Sequence, residues 1–313
     1  MTRTLLEHLT LRARVFATVR EFFATRAYLE VETPALVPSP GLDLHLDAFA
    51  VTTPEGRHAG YLITSPEYQM KRLLCAGLPR TFQFARCFRA GEIGRRHNPE
   101  FTMLEWYRAG SGYEELMSET EALVRQVANV HRDGVLWAGH DIDLREPFER
   151  LTVAQAFERF AGIPRDGMLD LARSDEDAYF RVLVDQVEPG IGSLGRPLFL
   201  HDYPATQASL ARKKPNEPEV CERFELYVGD IELCNGFGEL CDPVEQRARF
   251  LDDQEARRRQ GKPVYPIDER FLEALESGMP DASGNALGLD RLIACVAGTD
   301  SIDEVMAFPH GRL

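Results

Sequence analysis

Basic residues are the first shortage of this 313-residue sequence: 36 Lys and Arg stand against 50 Asp and Glu, a formal charge of −14 at pH 7. That balance argues against a protein that coats nucleic acid, although it leaves room for a local basic patch. No apolar run approaches the roughly 18 residues that a membrane span needs. Glu7, His8, Arg12 and Arg14 interrupt the apolar residues at the N-terminus, where a secretory signal would be uniform. Cysteine is sparse: Cys75, Cys87, Cys221, Cys234, Cys241 and Cys295 include no C-x-x-C pair. Metal-ribbon and thioredoxin spacings are therefore missing, and a cytoplasmic protein with reduced, mostly buried thiols is expected. Internal repeats and low-complexity segments are also missing. There is no G-x-x-x-x-G-K-[ST], so any nucleotide binding uses another device. Gly190, Gly192 and Gly195 spell G-x-G-x-x-G, but Glu188-Pro189 precedes it and an apolar strand follows Arg196-Pro197. A dinucleotide fingerprint needs the reverse order, strand then helix.

What is present is ordinary globular composition, 44% hydrophobic and 27% charged. The length allows one large domain or two ordinary ones. Leu11, Val15, Phe16, Val19, Phe22 and Phe23 recur at helical spacing. A short edge strand is expected in "YLEVETPAL", then a turn and an alternating strand in "PSPGLDLHLDAFAV". "SPEYQMKRLLCAGL" predicts a helix with Ser65 as N-cap and Pro66 at its first position. "TFQFARCFRAGE" and "FTMLEWYRAG" predict an antiparallel hairpin across a polar loop from Gly91 to Pro99, and 114–130 a helix. Residues 131–196 are the least regular, with two helices expected ("TVAQAFERF" and "DEDAYFRVLVDQV") as a possible insertion. Strands follow in "PLFLHDYP", "ERFELYVGDIEL" and "CNGFGELCD", then a long charged helix from Pro243. Its Arg257, Arg258 and Arg259 predict a solvated helix face. A glycine-rich strand-to-helix turn closes the pattern in "GNALGLDRLIACVAG". Strands not regularly separated by helices favour α+β.

Three segments carry charges inside apolar strands, where a charge is costly unless paired. The first is "CFRAGEIGRRHNPEFTMLEWYR", with Arg89 and Glu105. In the second, "ERFELYVGDIELCNGFGEL", Glu225, Glu232 and Glu239 are spaced by seven; three carboxylates in so apolar a stretch suggest a cation site. The third is "ALGLDRL", where Gly288 permits close backbone approach and Arg291 begins a helix. A single buried Arg is equally explained by a structural ion pair. Together they suggest an anionic substrate held by Arg89 and Arg291 with cations on carboxylates, which ATP with a divalent metal fits.

These segments resemble the signature motifs of class II aminoacyl-tRNA synthetases. "FFATRAYLEVETPAL", with Pro34, resembles motif 1; "FQFARCFRAGEIGRRHNPEFTMLEWY" resembles motif 2 and its loop; "ALGLDRL" resembles motif 3. "TSPEYQMKRLL" and "RHNPEFTMLEWY" narrow the likeness to the lysyl-tRNA synthetase subgroup, from about residue 11 to the C-terminus. Motif 1 begins within about thirty residues of the start, which leaves no space for the anticodon-reading OB-fold of that subgroup. The sequence thus resembles the truncated paralogues that modify translation elongation factor P, the elongation factor P–(R)-β-lysine ligase family. Ala286, where lysyl-tRNA synthetases have Gly, agrees.

The resemblance implies a single class II catalytic domain over 1–313, an antiparallel sheet flanked by helices, and a homodimer through motif 1. It implies that (R)-β-lysine, or L-lysine, is activated with ATP and Mg²⁺ and passed to a lysine of elongation factor P, with no stable tRNA binding. A minimal synthetase charging tRNA and a non-catalytic lysine or ATP sensor are the alternatives. By resemblance, Arg89 bridges the substrate carboxylate and α-phosphate, and Arg291 holds the γ-phosphate. Ala90, Gly91, Glu92, His97, Asn98, Leu233 and Gly288 belong with ATP, and Phe101 stacks on adenine. Glu225 and Glu232 hold Mg²⁺. Glu105, Tyr107 and Glu239 receive the ε-ammonium. Glu67, Asn235, Phe237 and Ala286, with Ser65 and Pro66 beside them, complete the amino-acid pocket. Ser65 is equally explained as a helix cap. Gly91 stands where motif 2 usually has Glu, so either Glu92 or the backbone takes that contact.

Overall fold

The computed structural model describes residues 3–313. It opens with α1 (Arg3–Ala24), whose stripe of Leu11, Val15, Val19, Phe22 and Phe23 is buried, as its spacing predicts. Short strands β1 (Leu29–Glu30) and β2 (Leu36–Val37) flank Pro34. The alternation after Pro38 yields a strand only at β3 (Ala50–Thr52). The reason is competition for carbonyls: Arg257 donates to those of Asp43, Leu44 and Leu46, and Lys262 to that of Leu44. The chain continues through β4 (His58–Leu62), α2 (Glu67–Cys75), and the expected hairpin of β5 (Arg80–Phe88) and β6 (Glu100–Ala109). Helix α3 (Tyr113–Ala128) follows.

Residues 131–196 hold more than the two expected helices. A small hairpin of β7 (Val135–Trp137) and β8 (Asp141–Asp143) comes first, then β9 (Glu149–Thr152). Helices α4 (Val153–Ala161), α5 (Arg165–Ser174), α6 (Glu176–Val182) and α7 (Glu188–Gly192) come next, with a π-helical turn at Leu183–Val187. Thr152 and Gln155 form a reciprocal capping box on α4, and Gly162 closes it with a left-handed φ of 69°. Gly190 and Gly192 lie in α7, and a strand follows, which removes the dinucleotide reading.

The remaining elements are β10 (Leu198–Pro204), β11 (Lys213–Lys214), β12 (Glu217–Val228), β13 (Ile231–Gly238), α8 (Pro243–Arg259), α9 (Glu269–Glu276), β14 (Ala282–Gly288) and α10 (Leu289–Ala297). The expected strand over 222–233 is corrected. It is broken by a Gly229–Asp230 turn, with Gly229 at φ 60°, and the chain doubles back as β13. Asp242 caps α8, accepting from the amides of Val244 and Glu245.

Among the described residues, nine strands form one sheet in the order β1-β5-β6-β14-β13-β12-β10-β9, with β11 beside β12. Its centre is antiparallel, while β1/β5 and β9/β10 are parallel, so the class is α+β. The C-terminal strand β14 inserts between β6 and β13, which brings distant segments side by side. One sheet face packs Leu104, Trp106, Phe224, Leu226 and Leu287 against α1, α3 and α10. A second apolar cluster joins α4–α7 to β10 and β12. Among the described residues no helix is long and apolar enough to cross a membrane.

Candidate active site

The period of two along each strand builds the site. Register places Glu105 opposite Ala286, Ala286 opposite Asn235, and Asn235 opposite Glu225, one row across four strands. Side chains directly opposite share a face. The next row is Tyr107, Gly284, Phe237 and Arg223. Alternate positions 284, 286 and 288 of β14 are thus small on the face away from the helices. A cavity of about 450 Å³ lies over this face.

Arg89, Glu92, His97, Phe101, Arg223 and Arg291 line one part of that cavity. The Arg89 guanidinium stands 5.0 Å from the Phe101 ring centre and 3.7 Å from Glu92, and its buried Nε has no partner. Gly91 adopts φ 83°, and the left-handed turn carries Glu92 into the cavity wall. Arg291 is held from three directions. It donates to the Glu232 carbonyl at 2.8 Å, to the Arg96 carbonyl at 3.3 Å, and meets His97 Nε2 at 2.8 Å. Burial and the adjacent Arg291 lower the His97 pKa, so a neutral imidazole accepts from the guanidinium. Asn98 also lines the cavity, but its amide is engaged, accepting from His310 N and donating to the Glu100 carbonyl. Leu233 and Gly288 are wall residues, whereas Pro66, Ala90 and Gly91 are not.

The three glutamates spaced by seven do not share one site. Glu225 and Glu232 both line the cavity from the β12–β13 hairpin, Glu225 opposite Asn235 and Glu232 opposite Tyr227. Glu239 lies just beyond the far end of β13, where Lys71 Nζ sits 2.5 Å from it. Both Glu225 oxygens are occupied: Arg223 donates at 2.6 Å, Tyr203 at 2.6 Å and Tyr227 at 2.8 Å. Glu232 is open to the cavity, with Arg291 at 3.8 Å. Among the described residues no group of three or more His, Cys, Asp or Glu is arranged to hold a metal.

The amino-acid end is layered. Ser65, Glu67, Asn235, Phe237 and Ala286 line the cavity, while Glu105, Tyr107 and Glu239 lie fully buried behind that lining. Ser65 Oγ donates to Glu105 at 2.6 Å and Tyr107 donates to its other oxygen at 3.0 Å. Burial first, and the charge of Glu67 second, push Glu105 up to about 8. Ser65 is not the N-cap of α2; Pro66 is, and the helix starts at Glu67. The Ser65 hydroxyl still accepts the Glu67 amide at 3.1 Å, so it serves helix and pocket together.

Residues 1–312 match the family of tRNA synthetases class II (D, K and N). The chain belongs to this family. It is 43% identical to the elongation factor P--(R)-beta-lysine ligase of Klebsiella pneumoniae (strain 342), over 96% of this chain and 94% of the relative. Its identity to the enzyme of the same name from Salmonella dublin is 41%, with the same coverage. The cleft of this family member sets guanidiniums and carboxylates in one cavity.

Two residues escaped the sequence reading. Lys71 is fully buried and bridges Glu67 at 2.6 Å and Glu239 at 2.5 Å. Its spacing from Glu67 (i, i+4 on a helix) was the available signal. Arg257 is no solvated residue: it is fully buried, stacks 4.4 Å from the Tyr265 ring and pairs with Asp47 at 2.5 Å. A run of three arginines hides which one faces inward, because a helix turns about 100° per residue.

Proposed function

We propose that this protein activates (R)-β-lysine, or L-lysine, with ATP and transfers the aminoacyl group to a lysine of elongation factor P. The observation that carries the reading is one cleft with two kinds of end. Arg89 and Arg291 stand at one, and hydrogen-bonded carboxylates lie under the other. The ligase names of the relatives support the acceptor.

In the first step a substrate carboxylate oxygen attacks the α-phosphorus of ATP and pyrophosphate leaves. The forked guanidinium of Arg89 holds both oxyanions, and one such donor is worth about 2.7–4 kcal/mol in comparable sites. Arg291 holds the terminal phosphate, kept in place by backbone carbonyls and His97. Phe101 offers the adenine a face and Glu92 an acceptor for its amino group. Mg²⁺ uses one or two carboxylates plus phosphate oxygens. Glu232 would supply the open carboxylate for that demand, Glu225 being engaged by Arg223, Tyr203 and Tyr227, and Mg²⁺ when bound would neutralise charge on the phosphates. At the other end Glu67, Glu105 and Glu239 oppose the single ammonium of Lys71. If all are ionised, two negative charges remain, matching the two ammonium groups of lysine or β-lysine. An uncharged isostere leaves those carboxylates unpaired, which in hydrogen-bonding sites discriminates by roughly 10⁴–10⁵. Ala286, in the row between Glu105 and Asn235, sets the depth of the pocket floor.

The protein works in the cytoplasm as a homodimer and makes no stable tRNA complex. Leu29 and Leu36, exposed in the motif 1 region, support the pairing; a monomer mass at micromolar concentration refutes it. The function is tested by the intact mass of elongation factor P after incubation with this protein, ATP and Mg²⁺. A gain of one lysyl residue, larger with (R)-β-lysine than with L-lysine, is expected. No gain with either removes the proposed acceptor.

A further inference from the structure

One part of the cavity, its second lobe, is lined by residues not assigned above to ATP or to the amino acid. Gln246, Phe250 and Asp253 recur at i, i+4 and i+7, so one face of α8 forms its wall. Ser39 and Asp43, on the loop before β3, form the opposite wall. Gln246 is 1% exposed and its Oε1 has no hydrogen-bond partner; Ser39 is 2% exposed and its Oγ has none. Buried polar atoms are rarely left unpaired, because each then loses its hydrogen bonds to water without replacement. Among the described residues the Asp43 carboxylate accepts only the backbone amide of His45, and no ion pair reaches Asp253. The lobe thus offers two carboxylates, an amide oxygen and a hydroxyl, a set that accepts hydrogen bonds and favours a cation. It opens into the same cavity as Arg89.

We propose that this lobe receives the side-chain ammonium of the protein lysine that is to be modified, with Asp253 as the group that takes its proton. The inference rests on the adenylate-forming function proposed above. An alkylammonium has a pKa near 10.4, so about one lysine in 2,500 is neutral at pH 7, and a proton acceptor is required. The freed amine attacks the acyl carbon of the adenylate. The C–N bond forms, the acyl–phosphate C–O bond breaks, and AMP leaves with its electron pair. Two protons are released, the first to Asp253 before attack and the second to water as the amide forms. Burial first, then the charges of Asp43 and Asp252, hold Asp253 at about 7, opposed by Arg249 and Arg257. The Tyr68 hydroxyl, from α2, is a further titratable group near it.

The test measures single-turnover transfer to elongation factor P between pH 6 and 9, from adenylate preformed with ATP, Mg²⁺ and (R)-β-lysine. ATP–pyrophosphate exchange on the same preparations is the reference. In Asp253→Asn the ratio of transfer to exchange is expected to fall at least tenfold, and the rise of transfer near pH 7 to disappear. Asp43→Asn, at an exposed position, is expected to lower the ratio by a smaller factor. Intact exchange with a ratio within twofold of wild type in both variants overturns this inference alone. A rise in the amino-acid KM of exchange, with the ratio unchanged, also overturns it by giving the lobe to the amino acid. Absence of exchange in the wild-type chain overturns the underlying function and the inference with it.

Discussion

Replacing Lys71 with Met tests the charge balance beneath the amino-acid end. The substitution keeps the length of the side chain and removes its ammonium. Lys71 is fully buried between Glu67 at 2.6 Å and the equally buried Glu239 at 2.5 Å. Removing one partner of a buried pair costs about 3–5 kcal/mol, because the remaining charge is left uncompensated. Over 313 residues, an unfolding entropy of about 2.1 cal/mol/K per residue converts that loss into a fall in Tm of roughly 5–8 °C. The sign of the pH dependence follows. Burial already holds Glu239 up at about 7, with Lys71 as the main influence opposing it, and without Lys71 its folded pKa rises further above the unfolded value. The native state binds a proton that the unfolded state does not, so stability falls as pH rises through that range. The deficit of Lys71→Met relative to wild type is therefore larger at pH 8 than at pH 5.5. Glu239→Gln in the same chain restores much of it. Thermal melting of the wild type, both single variants and the double variant at the two pH values closes the cycle. A deficit under about 1 kcal/mol, or one equal at both pH values, refutes the idea that this ammonium compensates the buried carboxylates.

Glu105, held at about 8 by burial and Glu67, binds an ammonium best when ionised. The KM for lysine in ATP–pyrophosphate exchange should fall from pH 6.5 to 8.5. Glu105→Gln should raise it at least tenfold and flatten that slope; a slope retained in the variant counts against the assignment. At Gly284 an added Cβ would lie 2.3 Å from the Tyr107 ring and 2.4 Å from Glu239 Oε1. Gly284→Ala should therefore raise the amino-acid KM at least tenfold while ATP still binds; an unchanged KM shows that the floor yields. Arg12 and Asp290 pair at 2.5 Å, and Asp290 also accepts the Thr102 amide at 2.7 Å, joining α1, α10 and β6. Arg12→Ala should cost about 3 kcal/mol in urea unfolding; a loss below about 1 kcal/mol marks the pair as dispensable.

Much of the site was legible because its residues break the rules of their surroundings. Glu105 and Glu232 stand out as charges in apolar strands, and Arg89 and Arg291 as charges at the ends of apolar stretches. Such an anomaly survives in one dimension, since the cost of burying a charge does not depend on the fold. Helix α1, the β5–β6 hairpin and the β14–α10 turn were legible for a related reason: their periodicities are local. The hairpin turn at Gly229–Asp230 was not, because an apolar stretch on both sides reads as one long strand. The strand expected after Pro38 failed because Arg257, distant in sequence, takes the carbonyls of Asp43, Leu44 and Leu46.

By itself the sequence determined which residue types face which side of each strand, since alternation is a property of consecutive residues. It therefore determined that Glu105 shares a face with Tyr107, that Gly284, Ala286 and Gly288 are a row of small positions, and that the chain carries the motifs of its family. Only the tertiary structure decided how those rows stand against one another. The insertion of β14 between β6 and β13 aligns Glu105, Ala286, Asn235 and Glu225. The approach of α2 puts Lys71 on Glu239, and the packing of α8 over the loop from Ser39 opens the acidic lobe. Strand order and the pairing of distant charges depend on which segments meet. That is settled by burial summed over the whole chain, which no local stretch of residues encodes.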